Sequence, residues 1–356
     1  MAERHPVLRL SEKLGVEWPA IRIAAEATVT RRTALNQALS KYTSEDTSMV
    51  VFGSLGRAEV TSGSDLDWIL LVDGFTNPEH LDASLAIEEH LKSEQLKGPG
   101  AEATFGGLVS SHDLIHYIGG EEDTNANLTH RMLMLLEAVP IGREDAYRRT
   151  TDNILRRYIL EDFGWMHTRN PMNVPRFLQN DISRYWRTLA VDFAYKRRQR
   201  SGRGWALRTA KLRLSRKLTY AAGLLMCYSC ALDPEISSII PSESDPSAAH
   251  KVVAHLSNYV RKTPLEIFAE LFLAHESLAH AARKLFTSYD TFLALIDDDK
   301  NRDRLDKLRY DEIAEDSVYQ TVRRLGHEFR EALDEVFFAP DTAPDLYQLT
   351  KTYGVF

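Results

Sequence analysis

Apolar and polar positions divide the chain into a short mixed segment and a long helical one. From Ala20 to Tyr42, Ile21, Ala24, Ala25, Val29, Leu35, Ala38 and Leu39 recur at roughly helical spacing and predict an amphipathic helix. Ser48 to Phe52 (SMVVF) and Asp67 to Val72 (DWILLV) predict two strands, separated by a Gly-, Ser- and Thr-rich turn. Asp82 to Leu96 predicts a helix that ends at the KGPG of residues 97–100. Ala101 to Val109 predicts a third strand, and Leu114 to Ile118 another short segment. From Thr124 onward the spacing is almost wholly helical, with no internal repeat. The expected class is α+β: a small mixed-sheet domain over residues 1–140, then a mostly helical domain over 141–356.

Composition narrows this little. A chain of 356 residues with 44% hydrophobic and 27% charged positions buries a core without staples. The N-terminus, MAERHPVLRLSEKLG, has no apolar core and is not expected to be a signal peptide. The apolar run near Leu218–Leu232 is shorter than the roughly 20 residues of a membrane span and reads as a buried helix, so no membrane partner is expected. It carries the only two cysteines, Cys227 and Cys230, which read as core thiols in a reducing, cytoplasmic setting.

Charge changes the picture more. The net charge is -7, yet residues 141–220 hold about 19 Lys and Arg against 7 Asp and Glu. That basic block begins just downstream of the segment with the most distinctive chemistry, VFGSLGRAEVTSGSDLDWILLV over Val51–Val72. Gly53 and Ser54 follow an apolar strand, where a missing Cβ lets backbone N–H groups and a hydroxyl approach a phosphate. Asp65 and Asp67, at i and i+2 of an extended run, point to one face and together suit hard divalent cations, Mg2+ or Mn2+. A lone GS means little and a lone DxD is common in surface loops. Here ten residues separate Ser54 from Asp65, each motif is attached to a β-like run, and Arg57, Glu59 and Ser64 lie between them.

The fuller pattern GSxGRxExTxxSDLD resembles the nucleotidyltransferase superfamily of the DNA polymerase β type. It is most similar to the bacterial regulators that uridylylate the nitrogen-signalling protein PII or adenylylate glutamine synthetase, and to their relatives. The resemblance extends to FGGLVSSHDLIHYIGGEEDTNANLTHRMLMLLEAVPIGRED, with Ser111, His112 and Asp113 in the place of a Gly-His-Ser-like turn, and to WALRTAKLRLSRKL. It implies that Gly53 and Ser54 hold nucleotide phosphates and that Asp65 and Asp67 bind Mg2+. Arg57 then either contacts phosphate or pairs with Glu59. The family also supplies a third carboxylate from a later strand. Glu102 is the nearest here, and either completes a triad with Asp65 and Asp67 or is a solvated strand-edge residue.

In the basic block, Arg176, Asn180, Arg184 and Arg187 share a helical face, and Arg208, Lys211 and Ser215 share another. Cations that border a buried stripe need an anionic partner. A nucleoside triphosphate is one, and Asp181 or Asp192 another. The resemblance places base and triphosphate between the two domains, so Ser64, Arg184, Arg187, Arg208 and Lys211 join the candidate nucleotide ligands, while KRRQR (196–200) reads as a solvated face. RNA is a further partner for such a patch, with Tyr185 or Trp186 stacking. The expected activity is transfer of NMP from an NTP, ATP or UTP, to a hydroxyl of a protein, RNA or small molecule, with release of pyrophosphate. The alternatives are a defence- or toxin-type enzyme that makes a nucleotide signal or modifies tRNA, and a degenerate module that binds nucleotide without turnover.

Overall fold

The alternation in the two predicted strands sorts their side chains onto opposite faces of one sheet. Met49, Val51, Trp68 and Leu70 pack into a cluster with Leu35, Leu39 and Ile87, whereas Val50, Phe52, Ile69 and Leu71 join the main core. The computed structural model describes residues 5–96, 98, 104–162, 165, 173–199, 203–240 and 247–354. Helices α1 (Pro6–Leu14) and α2 (Pro19–Leu39) lead to β1 (Thr47–Phe52), β2 (Trp68–Val72), α3 (Pro78–Ser93), β3 (Gly107–Ser110), α4 (Ser111–His116), α5 (Asn125–Leu136), β4 (Ala138–Ile141) and α6 (Asp145–Leu160). The sheet order is β3-β2-β1-β4, with β1 antiparallel to β2 and β4, and β2 parallel to β3. The helical remainder includes α7 (Arg176–Gln199), α8 (Trp205–Lys211), α9 (Lys217–Leu232), α10 (Ser247–Val260), α11 (Pro264–Ala274), α12 (Ala279–Asp297), α13 (Asp299–Lys307) and α14 (Ser317–Phe338). The α+β class is therefore as expected.

Several local boundaries differ from the pattern, for physical reasons. The third strand begins only at Gly107, because the chain turns through Gly106 at φ +89° and the Gly106 N–H bonds back to Trp68 O at 2.7 Å. The short segment expected from Leu114 is part of a helix, α4, whose N-cap is the Ser110 hydroxyl. Helix α3 starts earlier than its apolar spacing, because Asn77 accepts from the Glu79 N–H and Pro78 takes the first helical position. Strand β4 interrupts the helical spacing: only four residues long, it exists because β1 offers it a free edge, with Val51 opposite Val139.

Helix α9 is buried on all sides from Leu218 to Cys230, apart from half-buried Tyr220, which is why its sequence is apolar without a stripe. Its two thiols are unpaired by any disulfide, and burial pushes both pKa values up, which disfavours the reactive thiolate. Among the described residues no helix is long and apolar enough to cross a membrane. Between α8 and α9 the chain winds for five residues, Leu212–Arg216, as a wider π turn. Helix α12 packs on α2 and α14, which delivers its C-terminus and α13 to the turn between β1 and β2.

Candidate active site

The site is built where β1 stops. Gly53 follows Phe52 at φ +67°, a conformation that favours glycine, and a Cβ there would sit 3.6 Å from Asp67 Oδ2. The turn is tightened by Arg57 N–H to Gly53 O at 2.9 Å and Glu59 N–H to Ser54 O at 2.8 Å. On the facing strand, the Phe52 N–H bonds to Asp67 O at 3.0 Å and ties Asp67 to the end of β1. Leu66 and Trp68 point into the apolar core, so Asp65 and Asp67 fall on the other side, as period-two alternation requires.

Gly53, Ser54, Ser64, Asp65 and Asp67 line one small cavity of about 60 Å3. Its far wall comes from the helical part: Lys211, Ser215 and Arg216 from the π turn and its start, Phe292, Leu293 and Ile296 from α12, and Arg302 from α13. Burial raises the pKa of the Asp67 carboxyl; Arg216 opposes that rise and Asp65 adds to it. Lys211 has its pKa pushed down to about 8 by burial, with Arg302 nearby adding to the fall and Asp65 opposing it. Two hard carboxylates beside a glycine cradle fit Mg2+ or Mn2+, which accepts one or two carboxylates and takes its remaining ligands from water and substrate phosphate. Among the described residues there is no group of three or more His, Cys, Asp or Glu that could hold a metal, and Glu102 lies outside the described residues.

Beneath this cavity sits a buried ionic cluster. Arg57 donates to Glu59 at 2.9 Å and to Glu137 at 2.7 Å, and Tyr289 OH donates to Glu59 at 2.8 Å. Glu137 also accepts from Arg216 at 2.6 Å and from Thr219 at 2.9 Å. Burial alone would raise the Glu137 pKa, but the two guanidiniums hold it below the usual carboxylate range. Of the two roles open to Arg57, the structure displays the pairing with Glu59, although the side chain also borders the cavity. The Ser64 hydroxyl accepts from the Thr61 N–H at 2.9 Å and shapes the turn before Asp65.

Other candidate residues lie elsewhere. Arg184 is not brought to the cavity: it donates to Asp123 at 2.6 Å, in a network where Arg131 also reaches Asp123 and Asp181. Arg187 is exposed on α7. Arg208 bonds the carbonyls of Gly204 and Arg203 at the start of its own helix. Tyr185 is buried and Trp186 stacks on Tyr220 at 5.3 Å, so neither presents a free ring for a base. The side chains of 196–200 lie outside the described residues. The sequence pattern does not point to Arg216, Arg302 or Glu137, which the fold brings to the cavity or beneath it. For Arg216 the reason is local: helical spacing from Lys211 selects Ser215, whereas the π turn swings the next residue to the same wall.

A model of the nucleotidyltransferase domain matches residues 32–97, which span the end of α2, β1, the Gly53–Asp67 turn, β2 and α3. No curated protein matches the chain. The match supports nucleotidyl transfer in general and an NTP substrate.

Proposed function

We propose that this protein is a Mg2+- or Mn2+-dependent nucleotidyltransferase that moves NMP from an NTP to an acceptor hydroxyl. The observation that carries this reading is the meeting of Gly53, Ser54, Asp65 and Asp67 with Lys211 in one cavity. Asp65 and Asp67 would hold the cation, which neutralises charge on the transferring phosphoryl oxygens when bound. Gly53 and Ser54 orient the phosphates through backbone N–H groups and a hydroxyl. Lys211 lines the same cavity beside Asp65, where its ammonium would meet the triphosphate. The acceptor oxygen attacks the α-phosphorus, the bond to the β-bridging oxygen breaks, and pyrophosphate leaves with that electron pair. The hydroxyl proton passes to a site carboxylate, for which Glu102 is the proposed residue. In this reading residues 1–140 form the catalytic part, and 141–356 supply the cationic wall. The motif resemblance favours the class that modifies PII or glutamine synthetase; the acceptor is a protein, RNA or small molecule and the donor ATP or UTP, and the two unbridged thiols fit a cytoplasmic setting.

The test is incubation with each α-phosphate-labelled NTP, Mg2+ or Mn2+, and a cell lysate. Label incorporation or pyrophosphate release that vanishes in D65A and D67A supports the enzyme; nucleotide binding without turnover under either metal refutes it. The latter result would fit the second reading, a nucleotide-binding module without turnover. As it stands the cavity, about 60 Å3 against the roughly 300–1,000 Å3 of ordinary small-molecule sites, is too small for a nucleotide. Under either reading the α12–α13 corner must withdraw before a nucleotide is seated.

A further inference from the structure

The turn that carries Gly53 and Ser54 has a second face. Behind it lies a separate cavity of about 950 Å3, bounded by α1, α2, the start of α11, the first residues of β4 and the turn residues Gly56, Arg57 and Ala58. Its apolar lining includes Leu8, Trp18, Ala25, Val29, Val139 and Leu265. The charged groups on its walls are largely satisfied within the protein. His5 pairs with Glu266 at 3.0 Å and Arg22 with Glu26 at 3.1 Å. Lys262 reaches Glu270 at 2.6 Å. Arg32 spends its guanidinium on the carbonyls of Leu55 and Gly56. Exposed Glu17 and Arg261 at the margin contribute one charge of each sign. The five Arg and Lys of the lining exceed its four Glu by one, but all of these cations except exposed Arg261 are already bonded within the protein, so an incoming charge would lose its hydration for little gain beside an apolar surface.

We propose that this cavity is a binding site for an uncharged, predominantly apolar small molecule, distinct from the nucleotide cavity and sharing one wall with it. The volume lies in the range of ordinary ligand sites, in which a few polar groups accompany mostly apolar walls. The shared wall is Arg57, whose side chain borders both cavities. The turn is tightly fitted on this side: a Cβ on Gly56 would come within 1.9 Å of Glu137 O, and Ala58 sits at φ +59°. A ligand packed on Gly56–Ala58 and on Ala138–Val139 therefore presses on the turn that positions Gly53 and Ser54. Occupancy of one cavity then changes affinity at the other, reciprocally. This coupling rests on the nucleotide reading of the front cavity, whereas the binding site itself does not.

The test uses the full chain and two probes, neutral N-phenyl-1-naphthylamine and the anionic anilinonaphthalene sulfonate. Saturable one-to-one binding of the neutral probe is expected, weakened at least about tenfold in A25W, which fills the cavity from α2, and in V29D, which places a charge on it. Val29 is 62% exposed, so V29D leaves the core intact even where A25W perturbs folding. Neutral-probe binding that is absent, or unchanged in both variants, overturns the site; equal affinity for the anionic probe overturns the ligand class. In the second measurement, saturating neutral probe shifts the Kd for magnesium tripolyphosphate at least about fivefold. No shift overturns the coupling alone. No tripolyphosphate binding at all counts against the nucleotide reading and leaves the probe result standing.

Discussion

Ser62 is fastened to Asp297 across 235 positions of sequence: its N–H donates to Asp297 Oδ1 at 2.8 Å and its hydroxyl to Asp297 O at 3.0 Å. The same hydroxyl lies 3.0 Å from Asp299 Oδ1, and Arg302 bonds the carbonyl of Gly63. These contacts hold the α12–α13 corner over the turn between Ser54 and Asp65. Removing the side-chain contacts with S62A is expected to speed nucleotide association severalfold in stopped-flow binding while costing about 1 kcal/mol of stability. Slower association in S62A would show that the corner organises the open site rather than closing it.

Asp67 is expected to be required for turnover and unfavourable for the metal-free fold. Its raised pKa means that ionisation at neutral pH opposes folding: the folded state favours the protonated form, so the contribution is greatest below the ordinary aspartate pKa and is lost as pH rises from there through the folded value. D67N should keep or raise Tm without metal, abolish any Mg2+- or Mn2+-induced rise in Tm, and lower turnover by at least about a thousandfold. A Tm well below the wild-type value without metal would contradict the electrostatic account.

Lys211 sets a pH dependence. With its pKa near 8 in the free protein, the cation is present below that pH. Affinity for a nucleoside triphosphate should be level below about pH 8 and fall as pH rises above it. The stability sign is the reverse: between about 8 and the ordinary lysine range the unfolded chain binds more protons, so stability rises with pH there. K211R carries a guanidinium that stays charged and should flatten the binding profile, measured by calorimetry from pH 6.5 to 9.5. A profile as steep in K211R as in wild type would remove Lys211 from the triphosphate wall.

Glu137, itself fully buried, neutralises two guanidiniums, that of buried Arg57 and that of Arg216, whose side chain is 30% exposed. E137Q keeps the shape but leaves Arg216 without its carboxylate and Arg57 with Glu59 alone, and should cost about 3–5 kcal/mol in urea unfolding. A loss under about 1 kcal/mol would mean that water or neighbouring groups reach the cluster.

What the sequence determined by itself was whatever depends on neighbours along the chain. Period-two alternation places Asp65 and Asp67 on one side of an extended run, and a glycine after an apolar strand marks the turn. Apolar runs likewise marked β1, β2 and the buried α9. The tertiary structure decided which distant charges share the site. Arg184 and Lys211 look alike in a basic block, yet Asp123 engages the first while the second faces Asp65 and Asp67. Arg302 sits in the polar run DKNRDR and reaches the site only because α12 delivers α13 there. Strand β4 was hidden between helical patterns, since its stability comes from β1 rather than from its own four residues. The physical reason is common to all three: backbone periodicity is a property of a few adjacent residues, whereas ion pairing and edge-strand pairing depend on segments that folding alone brings within a few ångströms.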